Sequence, residues 1–452
     1  MSTPTPLGRW HSRTTFVLAL SASAVGLGNL WRFSYLVGEN GGAPFVLAYL
    51  VCLFAIAVPV LIAEVVVGNH ARSSPVLALR HAADRSLRSR AWAVVGVVAC
   101  LAALLILPYY SVVAGWSLSY ALSMQAGEFA AASGVMVGEL FQQFLVDASA
   151  QIKWHSIFLL VVLLIVSLGV RRGLGLLVWL AVPALLALLG VLVKFSMDHG
   201  DVAAAQSFLF GIQPLDFTPQ SWLVALGHAF YTLGVGVGIG ISYGAYAPQR
   251  IPIGRSVLAV AVFDTLIALF AGIAIFPIVF ANNIEPSMGP GLLFVSVPYA
   301  FGNIAAGELY GALFFLLVVI AALGSAVALL EPVVGTLKQM LRVRRFTAVV
   351  IAGAMVWVLG VGVALSFGGA DNAGVLAGLN LFDLLDRLTS LMLLPLSALL
   401  LSLFVGWRMR PVLLRYVLDR ESGVFFSLWY FFLRYIVPPA IITLFVSTVV
   451  LA

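Results

Sequence analysis

The sequence predicts an all-α polytopic membrane protein of about 11 transmembrane helices, and three observations predict it. Of 452 residues, 62% are hydrophobic and 9% charged, against about 45–50% apolar and about 25% charged in a soluble domain. Apolar windows of about 20 residues, each long enough to cross a bilayer as a helix, recur from end to end. Lysine and arginine collect in alternate links between those windows, as they do in proteins threaded repeatedly through a membrane.

The first window, 14–36, contains Ser21, Ser23, Asn29 and Arg32, and no small-residue cleavage pattern follows it. It reads as a retained span and not as a cleaved signal. Further windows fall at 43–69, 91–123, 156–170, 174–195, 221–246, 256–281, 309–337, 347–367, 379–405 and 425–451. An Arg171–Arg172–Gly173 turn separates the fourth from the fifth, and the Pro/Gly-rich stretch 283–302 is long enough for short helices of its own. One membrane domain thus consumes the whole chain. Cys52 and Cys100 each lie in an apolar run with no metal-ligand spacing, so both read as packing residues.

One set of links holds Arg72, Arg80, Arg85, Arg88 and Arg90; Arg171 and Arg172; Arg250 and Arg255; Lys338, Arg342, Arg344 and Arg345; and Arg408, Arg410, Arg415 and Arg420. Together with Arg9 and Arg13, these should be cytoplasmic. The other set holds Glu128, Glu139, Asp147, Asp198, Asp201, Asp216, Glu285 and Asp371 and should face outside. In the inner (plasma) membrane of a cell this places the N-terminus in the cytoplasm and Ala452 outside. Topology accounts for the formal charge of +6, so no nucleic-acid partner is implied.

Two spans carry glycine clusters near their middles. The first has Ala24–Val25–Gly26–Leu27–Gly28–Asn29, and the sixth has Thr232–Leu233–Gly234–Val235–Gly236–Val237–Gly238–Ile239–Gly240. Close helix packing through small residues explains either cluster alone. The pair, in corresponding positions if five spans repeat as five, and with polar neighbours, points to interrupted helices lining a transporter's site, because irregular backbone survives in a bilayer only where it lines a cavity or is buried. A phosphate cradle is excluded, since neither GxGxxG nor GxxxxGK[ST] occurs in register.

Ionisable residues within spans mark ion or substrate paths by default. Arg32 and Asp383 fall near the outer ends of the first and tenth spans and could pair there. Glu64 either snorkels or bonds backbone. Asp264, about ten residues into span seven beside Thr265, has no basic residue in its span to neutralise it. It is either protonated or a ligand of a hard cation, and Asn29, Thr232 and freed carbonyls would supply further oxygens to sodium.

Ser23–Ala24–Val25–Gly26–Leu27–Gly28–Asn29–Leu30–Trp31–Arg32–Phe33, Glu39–Asn40–Gly41–Gly42, Tyr109–Tyr110, Phe230–Tyr231–Thr232–Leu233, and Ser325 ahead of Glu331–Pro332 make the chain similar to bacterial members of the neurotransmitter:sodium symporters, the group typified by the bacterial leucine transporter. The resemblance runs from about Trp10 to the last helix. It implies a five-plus-five inverted repeat with unwound helices 1 and 6: repeat one about 10–195, repeat two about 220–406, and an extra C-terminal helix about 425–451. It also implies alternating access with two sodium ions beside one substrate. By resemblance, sodium site one takes the Ala24 carbonyl, Asn29, Thr232, Asp264 and the substrate carboxylate. Site two takes carbonyls of Ala22, Val25 and Ala321 with the Ser325 hydroxyl. Substrate would rest against Ala24, Leu27, Gly28, Ile106, Tyr110, Tyr231, Thr232, Gly234, Val237, Ser325 and Leu329. Arg32 with Asp383, over Tyr110 and Tyr231, would be the outer gate.

Some positions depart from the family pattern. Gly324 stands where site two usually has a further side-chain ligand, and Ser34 replaces a proline after Arg32–Phe33. Gln339 replaces an acid of the cytoplasmic gate and Leu7 its arginine partner, so that gate should close through Trp10 and Tyr246. Asp264 stands where chloride-dependent relatives have asparagine, so chloride is not expected to be needed, and with His228 it offers a returning proton a route. Gly234 and Val237 leave a roomy apolar pocket suited to hydrophobic or aromatic L-amino acids. The expected function is sodium-coupled amino acid uptake. The alternatives are a receptor that binds solute without transport, or a carrier of another small amine or a sulfonate such as taurine. An enzyme is not expected, because no HExxH, Ser/His/Asp set or Cys/His pair is placed mid-span.

Overall fold

A computed structural model describes residues 8–212, 216–282, 291–368 and 379–450. Among them, nine unbroken helices are long and apolar enough to cross a membrane: Ala43–Ala71, Arg90–Gln125, Ala148–Ser167, Val170–His199, Ile253–Ala281, Gly307–Met340, Arg345–Ser366, Leu381–Arg408 and Gly423–Ser447. Two broken pairs complete the bundle, Arg13–Ala24 with Gly28–Glu39 and Pro219–Thr232 with Ile239–Tyr246. They take the places of the first and sixth spans in the numbering used below. The expected acidic positions Glu285 and Asp371, and Leu7 of the expected gate, lie outside the described residues.

Burial separates inner spans from outer ones. The apolar window of span eight, Gly307–Met340, is 78% buried, against 28% for span five, Val170–His199, and span eleven, Gly423–Ser447. Outward-facing side chains such as Leu160, Leu164, Trp179 and Leu180 are apolar and exposed, which suits contact with lipid. Spans one, two, six and eight therefore enclose the centre, where a buried polar group must find its partner within the protein. Between the spans lie an amphipathic helix Pro75–Arg85 at the end rich in basic residues and, toward the other end, short apolar helices Gly134–Val146 and Leu292–Gly302. The last falls in the long Pro/Gly-rich link.

Caps fix where the first and sixth spans begin. Ser12 Oγ accepts the Thr15 N–H at 3.1 Å. Thr218 and Ser221 form a reciprocal capping box ahead of Pro219, so span six starts with its first amides satisfied.

Candidate functional site

Span one breaks just after Ala24. Val25 leaves helical geometry at φ −70°, ψ 113°, and the two halves meet at 65°. The Gly26 N–H, which a continuous helix would give to the Ala22 carbonyl, donates instead to Asn29 Oδ1 at 2.9 Å. The Leu27 N–H makes a long bond of 3.4 Å to the Tyr110 hydroxyl. A side chain at Gly26 would collide with Ser325 Oγ and the Tyr110 hydroxyl, 2.6 and 2.8 Å from the added carbon.

Span six breaks over 233–238. Gly234, Gly236 and Gly238 take φ values of +59°, +90° and +73°, which residues with a Cβ rarely adopt. Glu64 of span two gathers the released amides: the Gly236 N–H donates to Oε1 at 2.8 Å and the Gly240 N–H to Oε2 at 3.0 Å. Of the two readings of Glu64, backbone bonding is the one present, and its carboxylate is 1% exposed. It stands at the start of Ile239–Tyr246, where the helix dipole favours negative charge.

Asp264 bridges the two breaks. Its Oδ1 accepts Asn29 Nδ2 at 2.7 Å and its Oδ2 accepts the Thr232 hydroxyl at 2.8 Å; Asn29 Nδ2 also reaches Thr232 Oγ1 at 3.2 Å. Asp264 is fully buried, and among the described residues no basic side chain pairs with it. A carboxylate so placed needs a cation or a proton, because an uncompensated buried charge is prohibitive. His228 lies nearby, stacked on Phe33 and tilted against Tyr49, each at 5.5 Å between ring centres, with neither ring nitrogen bonded among the described residues.

A cavity opens beside this cluster. Ala24, Leu27, Gly28, Ile106, Tyr110, Tyr231, Thr232, Gly234, Val237, Ser325 and Leu329 all line it, together with Ser23, Gly26, Asn29, Ile239 and Leu394. It measures about 50 Å³, so the roomy pocket expected from Gly234 and Val237 is corrected to a tight one, and a large side chain fits only if the lining moves apart. A roomier vestibule of about 210 Å³ sits above it, sharing Leu27, Tyr110 and Tyr231 with it and lined further by Arg32, Tyr35, Phe382 and Asp386. The Arg32 guanidinium lies over the Tyr231 ring, 4.8 Å from its centre.

Asp383 does not face this vestibule. It sits in the first turn of Leu381–Arg387, where its N–H is capped by Asn380 Oδ1 at 2.8 Å. Asp386, one turn further on, is the acid that lines the vestibule with Arg32, so the expectation of Asp383 is corrected to Asp386, and neither acid is ion-paired with Arg32 among the described residues.

The other end of the bundle is sealed. The Trp10 N–H donates to the Tyr246 carbonyl at 2.8 Å and Trp10 Nε1 to the Tyr243 carbonyl at 3.1 Å. The Tyr246 hydroxyl donates to Glu331 at 2.5 Å, and Arg345 grips the same carboxylate with both guanidinium ends, the Nη1 bond measuring 2.9 Å. Glu331 and Arg345 escaped the sequence reading of the gate; the only signal was an arginine placed in a basic link next to a span containing an acid. Gln339 Oε1 accepts the Ser74 N–H at 2.8 Å, tying span eight to the turn before Pro75–Arg85.

The second sodium site fits less well. Ser325 Oγ donates to the Val25 carbonyl at 3.1 Å. Beside it, Ala22, Val25, Ala321 and Gly324 border a space of about 10 Å³, closed by Val182, Leu185, Phe263 and Ile320. A Cβ at Gly324 would stand 2.4 Å from the Ala22 carbonyl oxygen, so spans one and eight approach too closely there for a side-chain ligand.

The family model described as "Sodium:neurotransmitter symporter family" matches residues 7–133 and 139–452. The chain belongs to that family. An uncharacterised sodium-dependent transporter of Bacillus subtilis, YhdH, is 32% identical to it over 444 residues, covering 98% of this chain and 97% of that protein. A crystal structure of MhsT in complex with L-phenylalanine superposes with a TM-score of 0.88 at 36% identity, covering 97% of this chain and 99% of that one. The human sodium- and chloride-dependent GABA transporter 2 is 25% identical over 451 residues, 88% of this chain and 73% of its own length. This symporter is therefore a sodium-coupled, multi-pass membrane transporter of a small molecule, and not an enzyme.

Proposed function

We propose that this symporter carries large hydrophobic or aromatic L-amino acids into the cell, with sodium bound at Asp264 as the coupling ion. The observation that carries the reading is the fully buried Asp264, without a basic partner among the described residues, tied to both broken spans and next to an apolar cavity. Sodium takes the Ala24 carbonyl, Thr232 and Asp264, together with Asn29 once its amide turns over to present Oδ1 in place of Nδ2, all hard oxygen donors, and the substrate carboxylate completes the set. That carboxylate meets the Leu27 and Gly28 amides, at the positive end of a half-helix, and the Tyr110 hydroxyl. The amino group meets carbonyls released at the breaks. The side chain lies against Ile106, Val237, Ile239, Leu329 and Leu394, a lining that supports an apolar cargo, as does the L-phenylalanine in the MhsT complex.

Alternating access follows from the two ends of the bundle. Arg32 with Asp386, over Tyr110 and Tyr231, closes the vestibule on the bound pair; release then requires the Trp10, Tyr246, Glu331 and Arg345 cluster to part. The basic links, Arg72 to Arg90 among them, face the cytoplasm with the N-terminus, and the C-terminus lies outside. The first and sixth spans correspond in a pair of five-span repeats, about 10–195 and about 220–406, with span eleven added. Asp264 supplies the negative charge that an anion supplies elsewhere, so transport is independent of chloride. A single sodium drives each cycle, because the approach of Gly324 to Ala22 leaves site two, at Ala22, Val25, Ala321 and Ser325, without a further ligand.

Uptake of labelled L-phenylalanine into proteoliposomes tests this. Accumulation above equilibrium is expected under an inward sodium gradient, with a Hill coefficient for sodium of about 1 and no loss when gluconate replaces chloride. Binding without accumulation would instead favour a sensor. Competition by taurine but not by leucine or tryptophan would replace the proposed cargo.

A further inference from the structure

A second cavity, about 820 Å³, opens at the basic end of the bundle and shares no residue with the substrate cavity. Its walls come from the end of span two, the helix Pro75–Arg85, the Gln249–Arg250 link and the turn after Pro411–Val417. Arg72, Arg85 and Arg250 line it with His70 and His81; the acids are Asp84 and Asp419. Asp84 is already paired, 2.8 Å from Arg90, and Asp419 is exposed. Positive charge is therefore in excess inside the cavity.

Arg72 is the most constrained of these groups. Its Nη1 donates to the carbonyls of Ala245 and Ala247, at the end of the second half of span six, and Asn69 Nδ2 holds the Gly244 carbonyl at 3.3 Å. Its Nη2 is buried and has no partner among the described residues. Burial and the neighbouring Arg9 pull its pKa down from the usual guanidinium value. Burial likewise holds His81 below the ordinary imidazole range; Asp84 opposes that shift, and Arg80 and Arg85 add to it. Burial is the larger cause of both shifts, and the neighbouring arginines add to it.

The buried Arg72 Nη2 calls for an acceptor, and the planar fork of arginine matches phosphate oxygens. Ligand cavities run about 300–1,000 Å³, and basic pockets between membrane helices on the cytoplasmic side take phosphorylated headgroups. We propose that this cavity binds a phosphate group, either a free phosphate or the headgroup of an anionic lipid, through Arg72 Nη2, Arg85 and Arg250. Since Arg72 also holds the end of the half-helix whose Tyr243 and Tyr246 carbonyls anchor Trp10, an occupant braces the sealed end of the bundle. Only that last consequence rests on the transport reading; binding itself rests on the cavity.

Thermal unfolding of the full chain in neutral detergent separates the sources, with sodium gluconate, inorganic sodium phosphate and dioctanoyl phosphatidylglycerol compared at matched sodium and ionic strength. A rise in Tm of several degrees is expected with a phosphate-bearing probe and should be lost in the Arg85→Gln/Arg250→Gln variant, whose exposed side chains leave the fold intact in gluconate. A response to inorganic phosphate identifies a free phosphate, and a response to phosphatidylglycerol alone identifies a lipid. Arg72→Lys, which keeps the charge and removes the fork, should weaken the same response. Equal Tm values with all three probes would overturn the proposal. So would a rise that survives in the double variant, because phosphate also stabilises proteins by exclusion from their surface.

Discussion

Asp264 is held by two neutral donors, Asn29 and Thr232, which orient its oxygens without cancelling its charge. Its substitution therefore separates charge from shape. Asp264→Asn keeps the size and one acceptor, and uptake by this variant should fall in gluconate and recover as chloride is added; equal uptake in both media would detach the charge from anion independence. Asp386→Asn should lower uptake several-fold, whereas Asp383→Asn should leave it near normal, as initial rates in proteoliposomes will show. The sequence could not choose between these acids. They stand one helical turn apart, and the link before them has no periodicity to fix the register. The cavity residues were easier to read, because motifs such as Gly26–Leu27–Gly28–Asn29 and Phe230–Tyr231–Thr232 lie beside the breaks and leave little freedom of register.

At the scale of elements, the two interruptions could be read from glycine clusters in otherwise apolar windows, but the group that satisfies them could not. Nothing near Glu64 in sequence says that it reaches Gly236 and Gly240, because that contact depends on how span two packs against span six. Glu64→Gln replaces one acceptor oxygen with a donor facing an amide. A loss of about 1–3 kcal/mol is expected, together with weaker sodium binding, readable as a lower Tm and a right-shifted sodium titration. Gly236→Ala should act through backbone and space at once: its φ is +90°, and the new carbon would stand 2.6 Å from the Leu394 carbonyl oxygen. Strain of this kind costs about 1–3 kcal/mol, so a lower Tm is expected, with uptake reduced more than protein yield.

For the whole molecule, the path to the substrate cavity is sealed on the side rich in basic residues, and the vestibule of about 210 Å³ lies on the other side of that cavity. The seal depends on Glu331, which is fully buried and shared by Tyr246 and Arg345. Removing one partner of a buried pair leaves the other uncompensated, at about 3–5 kcal/mol. Glu331→Gln should thus shift the population toward the state open at that end, and a cysteine introduced at Trp10 should react faster with a membrane-impermeant thiol reagent applied from the cytoplasmic side. The polytopic helical bundle could be read from its apolar windows, while this seal joins parts of the chain that hydropathy cannot pair. The tight approach of Gly324 to Ala22 reaches further, into how steep a nutrient gradient the cell can sustain. One sodium descending a tenfold concentration difference and about 100 mV yields about 3.7 kcal/mol, enough to hold a zwitterion a few hundred-fold enriched. A two-ion machine would square that ceiling, so the one-sodium cycle proposed above trades scavenging power for a lower ionic outlay per molecule imported.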